Sequence, residues 1–478
     1  MKFFDIDGSQ TGMPFRKKQV IGLIITAAVV ALCFLLPLDS IEGDGSNVNL
    51  VLATVMFVVV AQITGWLTMA QTLLLAAFVW VASGIITASD VMTNSGLSSL
   101  YMMIGFFMTS MGASRTKLSK RLAYLLLRWL GKSPSLIVLA IAITTALLSS
   151  VLSNLATCIM MASVANELLK EVDEKPGQSQ FGKCLMMVIS VFACLGGMML
   201  MNGCGSVNVI AVGVLESLGI TVTYAQWAIM AFPIGVVSWI PVWFVYVKWF
   251  KVDKSMEGKN VDPQYFKDKQ KELGPIEASE IRWLILMLGM VACLLWLPVN
   301  SAFTALLFGA LSVCPVVGVV PVKEALQEIP WETIIGALLY PVMGVIITNS
   351  GLGSFLMDSL LGWAGNYNYI VMIIIAVLVC WLLNTVLVNC QTALVAVSTV
   401  ALASMASSMG INAALLVMPT IFVYTLRHVL SMQMDMVVIQ GYNFYVSKET
   451  IIPGVLSSIP WVAIIIIGSI ILVPIAGL

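Results

Sequence analysis

Apolar stretches of 18 or more residues recur along this chain from residue 20 to its C-terminus. A helix rises about 1.5 Å per residue, so each such stretch reaches across a bilayer core about 30 Å thick. Charged residues make up only 10% of the chain and hydrophobic ones 60%, where a soluble domain carries about 25% charged residues. The sequence therefore reads as an all-α polytopic membrane protein. The first apolar run, 20–38, leads into an acidic stretch without a small-residue cleavage pattern, and it reads as a retained helix rather than a signal peptide. The nine cysteines show no CxxC and no paired spacing, which fits free thiols packed as small apolar residues. The formal net charge is zero, and nothing in it points to nucleic acid.

Lys and Arg set the orientation, because cytoplasmic segments are enriched in them. The basic clusters at 16–18, 115–132, 170–183 and 250–282, with Lys323 and Lys448, fall on one side if the N-terminus is cytoplasmic. The segments 39–47, 87–96, 216–224 and 351–366 carry no Lys or Arg and fall outside. Arg427 alone among the 24 basic residues has no place on the inner side. This predicts about eleven transmembrane helices plus two re-entrant hairpins, 134–169 and 367–410, with the C-terminus outside. The predicted layout is a cytoplasmic N-terminus (1–19), scaffold helices (20–113), a first transport part (114–249) with a broken helix at 183–215, and a cytoplasmic loop (250–280). Further scaffold helices (281–350) and a second transport part (351–478), with a broken helix at 411–441, complete it. Residues 116–130 read as an amphipathic helix along the inner interface.

The hairpins are related. LLSSVLSNLAT at 147–157 returns as LLNTVLVNCQT at 382–392, identical at six of eleven positions. Each copy places a polar knot in mid-run: Ser153, Asn154 and Thr157 in the first, Asn389, Gln391 and Thr392 in the second. A hairpin entering from each side makes an inverted repeat, and carriers of that type hold substrate at the midplane where broken helices meet. Helix N-termini at such tips offer unpaired N–H groups and partial positive charge, which suit a carboxylate or another oxyanion. The same side-chain oxygens could hold a cation. Ser, Thr and Asn in membrane helices also simply bond a neighbouring helix, a reading that two matched knots disfavour.

The stretch GASRTKLSKRLAYLLLRWLGKSPSLIVLAIAITTALLSSVLSNLATCIMM (112–161) resembles the divalent anion:sodium symporter family of di- and tricarboxylate carriers, and the likeness extends to IPWETIIGALLYPVMGV at 329–345, the 388–392 tip and the GG…GSVN region at 196–208. The resemblance implies a homodimeric elevator transporter, in which a Ser-Asn-Thr-x-Thr motif at each tip binds substrate carboxylate and helps to form two sodium sites. It assigns substrate binding to Ser153, Asn154, Thr157, Asn389, Cys390 and Thr392, and a weak sodium site to Ser153, Asn154, Gly205 and Asn208. The motifs are worn: Leu155, Val388 and Cys390 stand where the family has hydroxyls, and the double-proline turn is Gly205-Ser206-Val207-Asn208 in the first half. In the second half the region reads YTLRHVLSMQMD (424–435).

Arg427 completes the expected substrate site, since its planar fork can hold a carboxylate with two parallel bonds; pairing with Asp435 is the alternative. A fixed cation there could replace a bound sodium. The sequence thus predicts a secondary carrier of small organic anions that exchanges them or works without sodium. The alternatives are a sodium-coupled dicarboxylate symporter, a sulfate-like oxyanion carrier and a passive anion channel. No enzyme activity is predicted. His428 and Ser431 lie three apart without a GxSx pattern, and neither HExxH nor GxxxxGK[ST] occurs, which leaves no support for proteolysis, zinc catalysis or ATP driving. No organic cofactor is expected. The partners are the small anion, the bilayer and a second copy of the chain.

Overall fold

The computed structural model describes residues 15–38, 47–257, 263–297, 299–353, 355, 368–387, 390–430 and 433–478. Every regular element among them is helical. The chain opens with α1 (Phe15–Cys33), α2 (Val48–Thr64), α3 (Met69–Ala82), α4 (Ala88–Asn94) and α5 (Leu97–Met111). Asn47, Thr68 and Thr87 start three of these by accepting from the Leu50, Gln71 and Asp90 amides, which satisfies N–H groups that the helix itself leaves free. Then follow α6 (Leu118–Leu130), α7 (Pro134–Val151), α8 (Asn154–Glu171), α9 (Gln180–Met199), α10 (Gly205–Ser217) and α11 (Tyr224–Trp249). Two short helices, α12 (Val252–Ser255) and α13 (Pro263–Glu272), lead to α14 (Ala278–Trp296), α15 (Ser301–Ser312), α16 (Val322–Glu328) and α17 (Trp331–Asn349). The chain ends with α18 (Tyr369–Val386), α19 (Gln391–Ser408), α20 (Ala413–Val423), α21 (Met434–Gln440) and α22 (Ser447–Ile475). Seven helices among the described residues (α7, α9, α11, α14, α17, α18 and α22) are long and apolar enough to cross a membrane.

The duplication foreseen in the sequence is carried by the order of elements. Residues 134–249 run helix, tip, helix, broken helix and long proline-bearing helix (α7 to α11), and 369–475 repeat that order (α18 to α22). The long helices α11 and α22 pack on one another, with Gly468 so close to Ile234 that a Cβ would stand 2.5 Å from its side chain. Helix α9 is the innermost, 94% of its span being buried. In the other group α5 crosses α15 at backbone contact, since a Cβ on Gly105 would fall 2.2 Å from the Ala305 carbonyl. Small residues at such crossings let two membrane helices share dispersion contacts.

Two local outcomes differ from expectation, and one expected helix forms. The segment 250–280 is not a plain loop, because α13 forms within it and buries Phe266 against Gly131, just past α6. The stretch 301–320 stops being helical at Ser312, whose carbonyl accepts from Val319 and Val320 as the chain turns back. The amphipathic helix is present as α6, and its Arg121 is held 3.1 Å from the fully buried Glu280 while donating to the Gly274 and Pro275 carbonyls. This joins α6 firmly to the start of α14. All nine cysteines are free thiols, as foreseen.

Candidate substrate site

The first tip is one turn of chain between α7 and α8. Leu152 leaves the helix, and Ser153 caps α8 by accepting from the Ala156 amide at 3.3 Å. Asn154, the first helical residue, is buried, and its Oδ1 accepts from Ser149 Oγ at 2.8 Å. Its Nδ2 has no hydrogen-bond partner among the described residues. A Cβ on Gly197 would stand 2.6 Å from Asn154 Oδ1, so glycine is what lets α9 pass beneath the tip. Thr157 lies a turn further along α8, fully buried, with a hydroxyl that lacks a partner among the described residues; it does not line the cavity described below.

Helix α9 breaks after Met199, which strips carbonyls of their helical partners. Asn208 restores them, donating Nδ2 to Gly197 O at 2.9 Å and to Leu200 O at 3.1 Å. Its Oδ1 is buried without a partner among the described residues. Tyr224 donates to Asn202, and Asn202 to Val151 O, which ties the break to the end of α7. The second half braces its break from the hairpin instead. Asn384 of α18 donates to Tyr424 O at 3.2 Å and to Leu426 O at 2.9 Å, and Gln391 Nε2 donates to Tyr424 O as well.

Asn389 lies outside the described residues. Cys390 and Thr392 are placed away from the site expected for them. Cys390 Sγ points at Val59 O of α2 at 3.9 Å, and Thr392 Oγ1 lies 3.3 Å from Tyr340 Oη of α17 and 3.3 Å from Met69 Sδ of α3. Consecutive helical residues point about 100° apart, so with Gln391 aimed at the break its two neighbours face the flanking helices.

One cavity of about 380 Å³ collects Ser153, Asn154, Gly205 and Arg427 from among the expected residues. Ser153 and Asn154 form one wall, residues 203–206 another, and Arg427 and Asp435 a third, while Phe107, Ser110, Pro330 and Thr333 close it from α5 and the start of α17. The N-termini of α8 and α10 both open onto it. The Arg427 side chain is only 11% exposed. Its Nη1 lies 3.3 Å from Gln391 Oε1, and its Nη2 3.7 Å from both Cys204 Sγ and Asp435 Oδ2. The last distance is beyond hydrogen-bond range, so the pair is held by charge alone, and Arg427 Nε has no partner among the described residues. His428 points the other way. Its Nε2 lies 3.0 Å from Ser457 Oγ and 3.2 Å from Gly454 O, and its ring stacks on Trp461.

Of the expected sodium ligands, Ser153, Asn154 and Gly205 line the cavity and Asn208 sits beneath the break. The orphaned Asn208 Oδ1 fits a cation ligand, whereas the Ser153 and Asn154 oxygens already accept within the tip. Sequence reasoning missed Asn384, whose signal was an amide deep in an apolar run, and the cavity-lining Cys204 and Gln433.

Comparison with known proteins identifies the family. The family described as sodium:sulfate symporter transmembrane region matches residues 17–475. The sodium-dependent dicarboxylate transporter SdcS of Staphylococcus saprophyticus is 23% identical over 430 residues, covering 84% of this chain and 81% of that protein. SdcS of Staphylococcus aureus strain USA300 is 24% identical over 298 residues, 60% of this chain and 56% of its own. The crystal structure of the Alcanivorax borkumensis YdaH transporter superposes with a TM-score of 0.53 over 97% of both chains at 13% identity, a likeness of fold. With the family match running through both hairpins and both broken helices, the chain belongs to the sodium:sulfate symporter family, the divalent anion:sodium symporters.

Proposed function

We propose that the chain carries a small dicarboxylate across the cytoplasmic membrane together with sodium. The observation behind this is the convergence of the α8 and α10 N-termini and the Arg427 guanidinium on one cavity of about 380 Å³. Helix N-termini and a guanidinium both favour a carboxylate, and the volume falls in the range of about 300–1,000 Å³ usual for small-molecule sites. Arg427 takes one carboxylate, and the Asn154 amide, which has a free N–H, donates to the anion. Asn389 keeps its assignment to substrate on the sequence repeat alone.

The coupling ion departs from the sequence-based expectation. Sodium-independent exchange requires Arg427 to stand in for a bound sodium as a free fixed cation. Asp435, 3.7 Å from the guanidinium, balances that charge. The curated relatives carry sodium dependence in their names, which favours symport. Asn208 Oδ1 is the side-chain oxygen best free to take the ion. The N-terminus is cytoplasmic and the C-terminus external. Two copies form the carrier, and the hairpins and broken helices move as a unit against the remaining helices.

Uptake of labelled succinate into proteoliposomes tests this. A sodium gradient is expected to drive saturable accumulation that choline does not. Equal uptake in choline restores the exchange reading, and uptake that never saturates means a channel. Saturable uptake of sulfate in preference to succinate and citrate makes the chain an inorganic oxyanion carrier.

A further inference from the structure

Asp435 is a buried ionisable group of the cavity with no role so far. It is 5% exposed, and its Oδ2 has no hydrogen-bond partner among the described residues. Among the described residues its Oδ1 accepts from the next amide in the chain, Met436 N at 3.1 Å. Arg427 is its counter-ion and also the single cation among the cavity's lining residues. The other titratable groups that face it are Cys158 on α8 and Cys194 on α9, the two helices against which α21 packs, together with Tyr445. Cys204 and Glu328 line the same cavity.

Two anions thus contend for one guanidinium. A carboxylate that docks on Arg427 with good geometry draws it off Asp435, to which it is bound only by a 3.7 Å charge contact. A buried carboxylate without its counter-ion is costly by several kcal/mol. The charge is removed when the carboxylate takes up a proton. A sodium ion would relieve it only with several further oxygen ligands, because hard cations are held by oxygen. Two of the groups whose charges couple to Asp435, Cys158 and Cys194, are thiols, poor ligands for such a cation. A proton needs no such set. We propose that Asp435 is a proton-coupling site: substrate displaces Arg427 from it, Oδ2 takes a proton through the cavity, and one proton travels with each anion. On release the O–H bond breaks, the proton leaves by the same cavity, and Arg427 returns to Asp435. The empty carrier then crosses with this pair neutral.

This rests on a carboxylate binding at Arg427. The test uses the purified full chain in weak buffer at saturating sodium, with a pH indicator and succinate as the probe. Wild type is expected to take up about one proton per succinate bound near pH 7.5, and its Kd to rise toward about tenfold per pH unit. Asp435→Asn, which mimics the protonated acid, is expected to bind succinate without proton uptake and with a Kd flat in pH. In proteoliposomes an acid-outside gradient accelerates wild type and leaves Asp435→Asn unchanged. Succinate binding by wild type with no proton uptake overturns the proposal and needs no variant. Equal proton uptake by Asp435→Asn also overturns it. A wild type that binds no succinate, citrate or sulfate in a thermal-shift screen removes the carrier reading beneath it, a result distinct from binding without a proton.

Discussion

Arg427 touches three elements at once: the second tip through Gln391, the first break through Cys204 and the second break through Asp435. Its removal therefore takes away a substrate ligand and strands Asp435. Arg427→Ala is expected to weaken succinate binding by about 2–5 kcal/mol, roughly thirtyfold or more, read by calorimetry on protein that still elutes as a folded species. Arg427→Lys should lose less, because a point charge remains but the planar fork does not. His428 provides the contrast: its ring is spent on Ser457, Gly454 and Trp461. His428→Gln is expected to leave the pH profile of uptake unchanged, and a shifted profile in that variant would move the pH-sensing group away from the cavity. Arg427 was legible in the sequence because a cation in an apolar segment needs a reason. Its contacts with Gln391 and Cys204 were not legible, because they lie 36 and 223 residues away in the chain and no local pattern encodes them.

At the scale of elements, tips and breaks were legible because polar letters interrupt long apolar runs, and the repeat paired them. What braces a break was hidden, because the two halves solve the same problem from different helices. Asn208 lies within its own broken helix, while Asn384 reaches over from the hairpin. Cys390 and Thr392 show the limit of matching letters, since helix rotation turned them to α2, α3 and α17. Asn384→Leu leaves the Leu426 and Tyr424 carbonyls short of a donor and should cost about 1–3 kcal/mol, seen as a lower melting temperature. Gly197→Ala acts on the other half by pressing a methyl against Asn154 Oδ1. It is expected to weaken succinate binding with little change in melting temperature, and unchanged affinity would show that the tip adjusts freely. The inverted repeat itself is checked by cysteines at Lys132 and Asn368, just before α7 and α18, which an impermeant maleimide should reach from opposite faces.

At the scale of the whole molecule, the cavity lies beside basic residues that follow α5. Its rim residues Ser114 and Glu328 adjoin Arg115, which pairs with Glu324 on the lysine- and arginine-rich face. Away from the cavity, the second hairpin docks on neighbouring helices through a chain of polar contacts. Gln62 of α2 lies 3.1 Å from both Thr72 of α3 and Tyr340 of α17, and Tyr340 lies 3.3 Å from Thr392 beside the tip. Gln62, Thr72 and Tyr340 are buried, so the contacts are made here and lost if the hairpin slides along α17. Each such bond contributes about 0.5–1.5 kcal/mol net, enough to bias two positions of the hairpin by roughly two- to tenfold. Tyr340→Phe removes the shared hydroxyl without changing the shape of the ring. The expected result is a shift of population away from this state, read at Cys204, which lines the cavity. In a background where the other cysteines are replaced, an impermeant thiol reagent should label Cys204 from the basic face in wild type, and succinate should protect it. In Tyr340→Phe, labelling from that face should fall and labelling from the opposite face rise. Unchanged ratios would mean that the Gln62–Tyr340–Thr392 chain is a static packing contact, and that the bias between states lies in another part of the interface.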